Sequence, residues 1–237
     1  MINTFHKRRA ILSSALPDLV IGFTGALPSW GTEVAILGKT SLEVGDIQNF
    51  QVVGQEITMN VSAVNYTVLD AAFYNDTSIT YFNDNADKVN QIDNSVFYGT
   101  TNLVSVKLDA LSFIDGAGSF YLSGILTLSL PSLITKTGDF IHLVRQAPNI
   151  TYLDLSNMTT YTGKNGLMVY RATSLTELRL DSMTQMGNTV LYTQFLREIA
   201  FGCTIYVNTF LATNNAGGED GDIAYARSTR TCTIIYV

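Results

Sequence analysis

The side chains in this 237-residue sequence that could do chemistry are few, and they are scattered. There are two cysteines, Cys203 and Cys232, two histidines, His6 and His142, and one compact acidic run, Glu219-Asp220-Gly221-Asp222. Two thiols without neighbouring Cys or His make neither a zinc site nor a disulfide framework. They read as small buried apolar groups, with a mutual disulfide as the alternative. Acid–base and nucleophilic catalysis need titratable groups that converge. His6 sits in the N-terminal segment, and His142, within Phe140-Ile141-His142-Leu143-Val144, reads as a packed or partly exposed structural residue. The acidic run offers oxygen ligands to calcium but lacks the remaining spacing of a calcium loop, so Asp222 is expected to cap a helix. No phosphate-cradling glycine motif, zinc motif or nucleophile elbow is present. No catalytic residue, metal or cofactor is expected, and the chain reads as a non-enzyme.

The remaining side chains must serve a scaffold. Hydrophobic residues make up 46% of the chain, enough for a large core, while charged residues make up 14% with a net charge of −6. That balance leaves no basic surface for nucleic acid. Thr, Ser and Asn take the place of charge, which suits β-structure with neutral polar faces and proteins that work assembled or outside a cell. No apolar run is long enough for a transmembrane helix.

A search for self-similarity finds the pattern Leu-x-x-aliphatic-x-Leu. Its copies are Leu103, Val106, Leu108; Ile125, Leu128, Leu130; Ile150, Leu153, Leu155; Leu175, Leu178, Leu180; and, more weakly, Leu196, Ile199, Phe201. First positions are 22, 25, 25 and 21 residues apart, the range in which one strand and one return segment make a solenoid coil. Three places after each of the first four units stands another apolar residue: Leu111, Leu133, Met158 and Met183. Alternation sends two strand side chains inward and the one between them outward. Stacked in parallel, the inward residues form apolar columns that no single unit could bury.

Two return segments carry a more specific phrase. Ala72-Phe73-Tyr74-Asn75-Asp76-Thr77-Ser78-Ile79 and Val96-Phe97-Tyr98-Gly99-Thr100-Thr101-Asn102-Leu103 resemble the Ala-Phe-x-x-Cys-x-x-Leu phrase of BspA-like leucine-rich repeats, and Leu128-Ser129-Leu130-Pro131 resembles that family's strand followed by Pro. The resemblance spans residues 72–201. It departs from the family where Asp76, Thr100, Ala147 and Ala172 replace the Cys and where the Pro occurs once. The resemblance implies an α/β or mainly β solenoid of leucine-rich-repeat coils with parallel strands, whose outer face contacts other macromolecules. The closing Gly221-Asp222-Ile223-Ala224-Tyr225-Ala226, followed by an apolar strand, is similar to short repeat proteins encoded by bacteriophages and prophages.

The ends differ from the repeats. Residues 1–16 form an arm, residues 17–70 a short-strand β module or cap, residues 71–202 the solenoid, and residues 203–237 a C-terminal cap. Cys203-Thr204-Ile205-Tyr206-Val207 and Cys232-Thr233-Ile234-Ile235-Tyr236-Val237 echo one another as two closing strands with a short helix between them. The arm resembles a signal peptide, but Pro17-Asp18 interrupts its apolar run, and it reads as a retained amphipathic helix. Its anchoring candidates are Phe5, Lys7, Arg8 and Arg9.

Lys107, Tyr152, Asp154, Glu177, Arg179 and Arg197 are the outward residues expected to bind a partner, with a solvated sheet face carrying a Glu177–Arg197 pair as the plainer alternative. The function expected first is a structural component of a virion: a phage tail, fibre or head-surface protein. Its partners would be other virion proteins, further copies of the chain, and a host receptor or glycan. An exported bacterial adhesin binding host protein or glycan is the second reading, and a glycan-acting enzyme is disfavoured by the missing pair of carboxylates.

Overall fold

A strand of three residues has too little apolar area and too few backbone bonds to persist alone. Here it persists because an equivalent strand, with an apolar residue at the same inward position, lies beside it in the next coil. The computed structural model describes residues 16–137, 142–162, 167–187, 194–215 and 218–237. The arm candidates Phe5, Lys7, Arg8 and Arg9, together with His6, lie outside the described residues.

Before the repeats come β1 (Leu19–Phe23), the one-turn helix α1 (Glu33–Leu37), β2 (Ile47–Val53), β3 (Glu56–Val61) and β4 (Tyr66–Val68). Coils then contribute two strands each: β5 (Ile79–Asp84) with β6 (Val89–Ile92), β7 (Ser105–Lys107) with β8 (Phe113–Ile114), and β9 (Thr127–Ser129) with β10 (Thr135–Thr137). The next two add β11 (Tyr152–Asp154) with β12 (Thr160–Thr162), and β13 (Glu177–Leu180) with β14 (Gln185–Met186). The chain closes on β15 (Thr204–Val207), helix α2 (Gly221–Arg230) and β16 (Thr233–Tyr236).

The first strands of the coils form one face in two runs, β5-β7 and β9-β11-β13-β15-β16, all parallel. Between the runs, Leu126 N–H donates to Val104 C=O at 3.1 Å. The second strands form parallel ladders β4-β6-β8 and β10-β12-β14. Inward residues fall into register as Leu128, Leu153, Leu178 and Ile205, all buried, and Leu111, Leu133, Met158 and Met183 are buried as well. The apolar columns read from the sequence are therefore present. Threonines line their margins: the hydroxyls of Thr151 and Thr176 donate to the carbonyls of Leu126 and Thr151 in the preceding coil, at 3.2 and 2.8 Å. A neutral side chain that bonds to the neighbouring coil explains why Thr does work that charge does elsewhere.

Each coil also contains a hydrogen-bonded turn segment, and these turns form a third ladder. Phe73 N–H donates to Val96 C=O, Phe97 to Ser119, Phe120 to Leu143 and Val144 to Met168. Phe73, Phe97 and Phe120 stack inside, with ring centroids 5.7 and 5.4 Å apart and planes within 15° of parallel. At the N-terminal end Trp30 sets its edge against Phe73 at 5.4 Å, and Phe23 meets Trp30 at 6.4 Å. Strand β1 pairs antiparallel with both β3 and β5, so the meander of β1 to β3 covers the backbone edge of the first coil. The Lys88–Asp18 ion pair at 2.9 Å ties the two parts together.

Three expectations change. The weak fifth unit is not a strand: Leu196 and Ile199 are buried at the two ends of a chain turn, Phe201 is exposed, and the strand is β15, where Ile205 pairs with Leu178. That coil is 27 residues long where the two before it have 25, and Leu-x-x-Ile fits a chain turn as well as it fits a strand. The face also starts one coil earlier than the leucine pattern indicates, at Ile79 and Phe82. The third position there is Asp84, a buried carboxylate that accepts the backbone N–H groups of Lys88 and Val89 at 2.6 Å each and turns the chain into β6. Finally, the N-cap of α2 is Asp220, which accepts from Asp222 N–H at 3.0 Å, while Asp222 lies buried in the first turn and accepts from Leu196 N–H at 3.4 Å. The closing strands are present as read, and they continue the face in parallel.

Leu153 has its side chain in the middle of the central column, and Leu153→Ala is expected to cost about 2–5 kcal/mol in denaturant unfolding. Thr151→Ala at the exposed margin should cost no more than about 1.5 kcal/mol.

Candidate binding surfaces

Parallel pairing places the outward residues in two columns. One runs Thr127, Tyr152, Glu177, Thr204 and the other Ser129, Asp154, Arg179, Tyr206. Four of the expected residues thus come together. The Tyr152 hydroxyl and the Ser129 hydroxyl each donate to the Asp154 carboxylate at 3.4 Å. Arg179 donates to Asp181, lies 3.9 Å from Glu177, and covers the Tyr206 ring at 4.7 Å. Its hydrogen bond to Asp181 raises the guanidinium pKa further, keeping the charge fixed. Burial, followed by the Asp154 charge, raises the Tyr152 phenol, which therefore stays a neutral donor. The result is a half-exposed patch with both charge signs.

Lys107 is on the same face but two strands away, held by Asp109 at 3.4 Å and Asp87 at 3.6 Å. Arg197 is not on this face. It follows Leu196 in a chain turn, so the expected Glu177–Arg197 pair does not form, and Arg197 lies 3.9 Å from Glu198 instead.

The turn edge carries a second row that the leucine pattern does not show. Immediately after the buried Phe73, Phe97, Phe120, Val144, Val169 and Leu196 stand Tyr74, Tyr98, Tyr121, Arg145, Tyr170 and Arg197. The residue after each of these has a left-handed backbone, with φ between 52° and 69°: Asn75, Gly99, Leu122, Gln146, Arg171 and Glu198. A left-handed residue stands at the same place in each turn, so successive coils present equivalent side chains. Gly99 is required for space as well, since a Cβ there would lie 2.1 Å from the Asn75 side chain. Tyr74 stacks on Tyr98 at 4.7 Å, and Tyr98 meets Tyr121 edge-on at 4.7 Å. The Arg145 guanidinium sits 5.2 Å from the Tyr121 ring and 5.1 Å from the Tyr170 ring, and it bonds to His142 at 3.0 Å. Arg171 and Arg197 lie 5.0 and 5.7 Å from the Tyr170 ring. The signal was available in the sequence as the residue that follows the buried Phe of the repeat phrase.

Among the described residues no group of three or more His, Cys, Asp or Glu is set to hold a metal ion, and no helix is long and apolar enough to cross a membrane. Cys203 and Cys232 are buried free thiols, and burial pushes Cys203 up to about 12. A family profile described as BspA type leucine rich repeat region matches residues 66–195 in 6 copies. No curated protein and no solved structure matches the chain.

Two measurements follow from the buried groups. Neither thiol should react with a thiol reagent at pH 8 in the native protein, and both should react in denaturant. Burial, aided by the Asp222 charge, pushes Asp220 up to about 6 from 3.8. The native state then holds this proton more tightly than the unfolded chain. Stability from Asp220 is present below about pH 4 and lost as pH rises through about 6, by up to roughly 3 kcal/mol at ~1.4 kcal/mol per unit. Asp220→Asn keeps the cap and should flatten this part of the stability–pH curve, and an unchanged slope would contradict the assignment.

Proposed function

Because the chain belongs to the BspA-type leucine-rich-repeat family, whose repeats support a protein-binding or surface-binding role, we propose that it is a non-enzymatic recognition component of a virion, in a phage tail, fibre or head surface. The observation that carries the recognition role is the connected patch of Tyr152, Asp154, Glu177 and Arg179. These residues project from a sheet whose other side is committed to the core, so the face can vary in sequence without refolding. The neutral, Thr-rich surface supports work in an assembled or extracellular setting. The closing Gly221-to-Ala226 segment, similar to phage-encoded repeat proteins, supports the virion. Other virion proteins and further copies of the chain are the partners this reading names, together with a host receptor.

An exported bacterial adhesin is the second reading, favoured by the tyrosine- and arginine-lined turn edge, a second outward row that an assembly contact through the sheet does not need. Mass spectrometry of purified particles from the native host should detect the chain. Peptides released from intact cells by surface proteolysis, with none in particles, would replace the virion by the adhesin. In either setting the Tyr152→Ala/Arg179→Glu variant should fold normally. It should lose about 2 kcal/mol or more of partner affinity, roughly thirtyfold.

A further inference from the structure

The turn edge concentrates positive charge on an acidic chain. Arg145, Arg171 and Arg197 gather around Tyr170, and among the described residues the one carboxylate ion-paired with them is Glu198, bonded to Arg171 at 2.9 Å. Arg171 and Arg197 are exposed, and so is Tyr74 at the opposite end of the row. One half of the edge therefore offers phenols and the other half guanidiniums. All of them can donate hydrogen bonds, and they recur once per coil, at the strand spacing of about 5 Å.

We infer that this edge binds an anionic glycan, an extended carboxylated polysaccharide lying along the solenoid axis. Its carboxylates meet Arg145, Arg171 and Arg197, and its hydroxyls meet Tyr74, Tyr98 and Tyr121. Charge complementarity requires an anion. The backbone argues against a peptide strand, because the N–H groups of Phe73, Asn75, Phe97 and Gly99 are already bonded to the next coil, so nothing remains for strand addition. The tyrosines also stack on one another and do not line a groove for an anchoring side chain. Sugar units of an extended chain advance by a distance similar to the coil spacing, so successive units meet successive coils. The inference rests on the chain being a recognition protein but uses a different face from the Tyr152–Arg179 patch.

The test is titration calorimetry of the full chain with polygalacturonate, with neutral dextran and polyglutamate as comparisons. Polygalacturonate should bind, dextran should not, and binding should weaken as salt is raised from 50 to 500 mM, as expected of a partly exposed charged contact (~10 Å screening length at 0.1 M). Arg171→Glu/Arg197→Glu should weaken binding by at least tenfold, and Tyr74→Ala should weaken it severalfold. Val44→Ser, on the N-terminal module, should leave it unchanged. If the double reversal does not fold, Arg171→Gln/Arg197→Gln takes its place with the same expectation. Polyglutamate binding as tight as polygalacturonate, retained binding in the arginine variants, or no binding to polygalacturonate overturns the inference. Polymer recovered shorter than it was added would instead overturn the non-enzymatic reading while leaving the binding edge in place.

Discussion

A coil of this chain cannot bury its own leucines, and everything else in the structure follows from that shortage. Leu153 is enclosed only because Leu128 and Leu178 lie in register on either side, and a three-residue strand survives only because its backbone is bonded on both edges. The demand repeats on all sides of the coil. The face strands, the second strands and the turns each make ladders, so a coil is fixed to its neighbours along as many as three lines. Stability is then a property of neighbouring pairs of coils, and the outer side chains are free to differ.

The same requirement makes the ends the difficult places. At the N-terminal end an antiparallel meander bonds to β5, and Trp30 closes the stack of Phe73, Phe97 and Phe120. At the other end α2 stands between the two closing parallel strands, where an ordinary coil has only a turn segment. The ion pair of Arg227 with Glu219 at 2.7 Å and the bond from Tyr236 to Glu219 hold this unit closed. Polar groups supplement the buried Ile205, Val207, Leu211 and Ile223 here, and the buried Asp220 is the cost of that choice. Its carboxylate caps α2 but is held at a raised pKa.

Two outward surfaces come from one scaffold by different geometry. On the sheet, alternation turns every second side chain outward, giving a patch of both signs around Asp154 and Arg179. On the turn edge, a left-handed residue recurs at a fixed place in each turn, giving a single row. Cation–π contacts knit that row together, each worth about 0.5–1 kcal/mol at an exposed site. The first surface is net acidic, with Asp154 and Glu177 against Arg179, and the second is net basic, so they suit different partners.

The sequence by itself determined the class of fold, because apolar spacing of 22 to 25 residues admits one way of burying Leu103 through Leu180. It also determined the inward columns, the burial of both cysteines and the echo between the two last strands, each a matter of local pattern. It left the strand registers of the first coil and the sixth open, since Asp84 stands where the other units have a leucine and Leu196-x-x-Ile199 fits a chain turn as well as a strand. Only the tertiary structure decided those registers, because a strand is chosen by the neighbour it bonds to and not by its own three residues. For the same reason only the structure could move Arg197 from the sheet to the turn edge and gather it with Arg145, Tyr170 and Arg171. Residues a full coil apart in sequence become neighbours through stacking, a distance that local pattern does not measure.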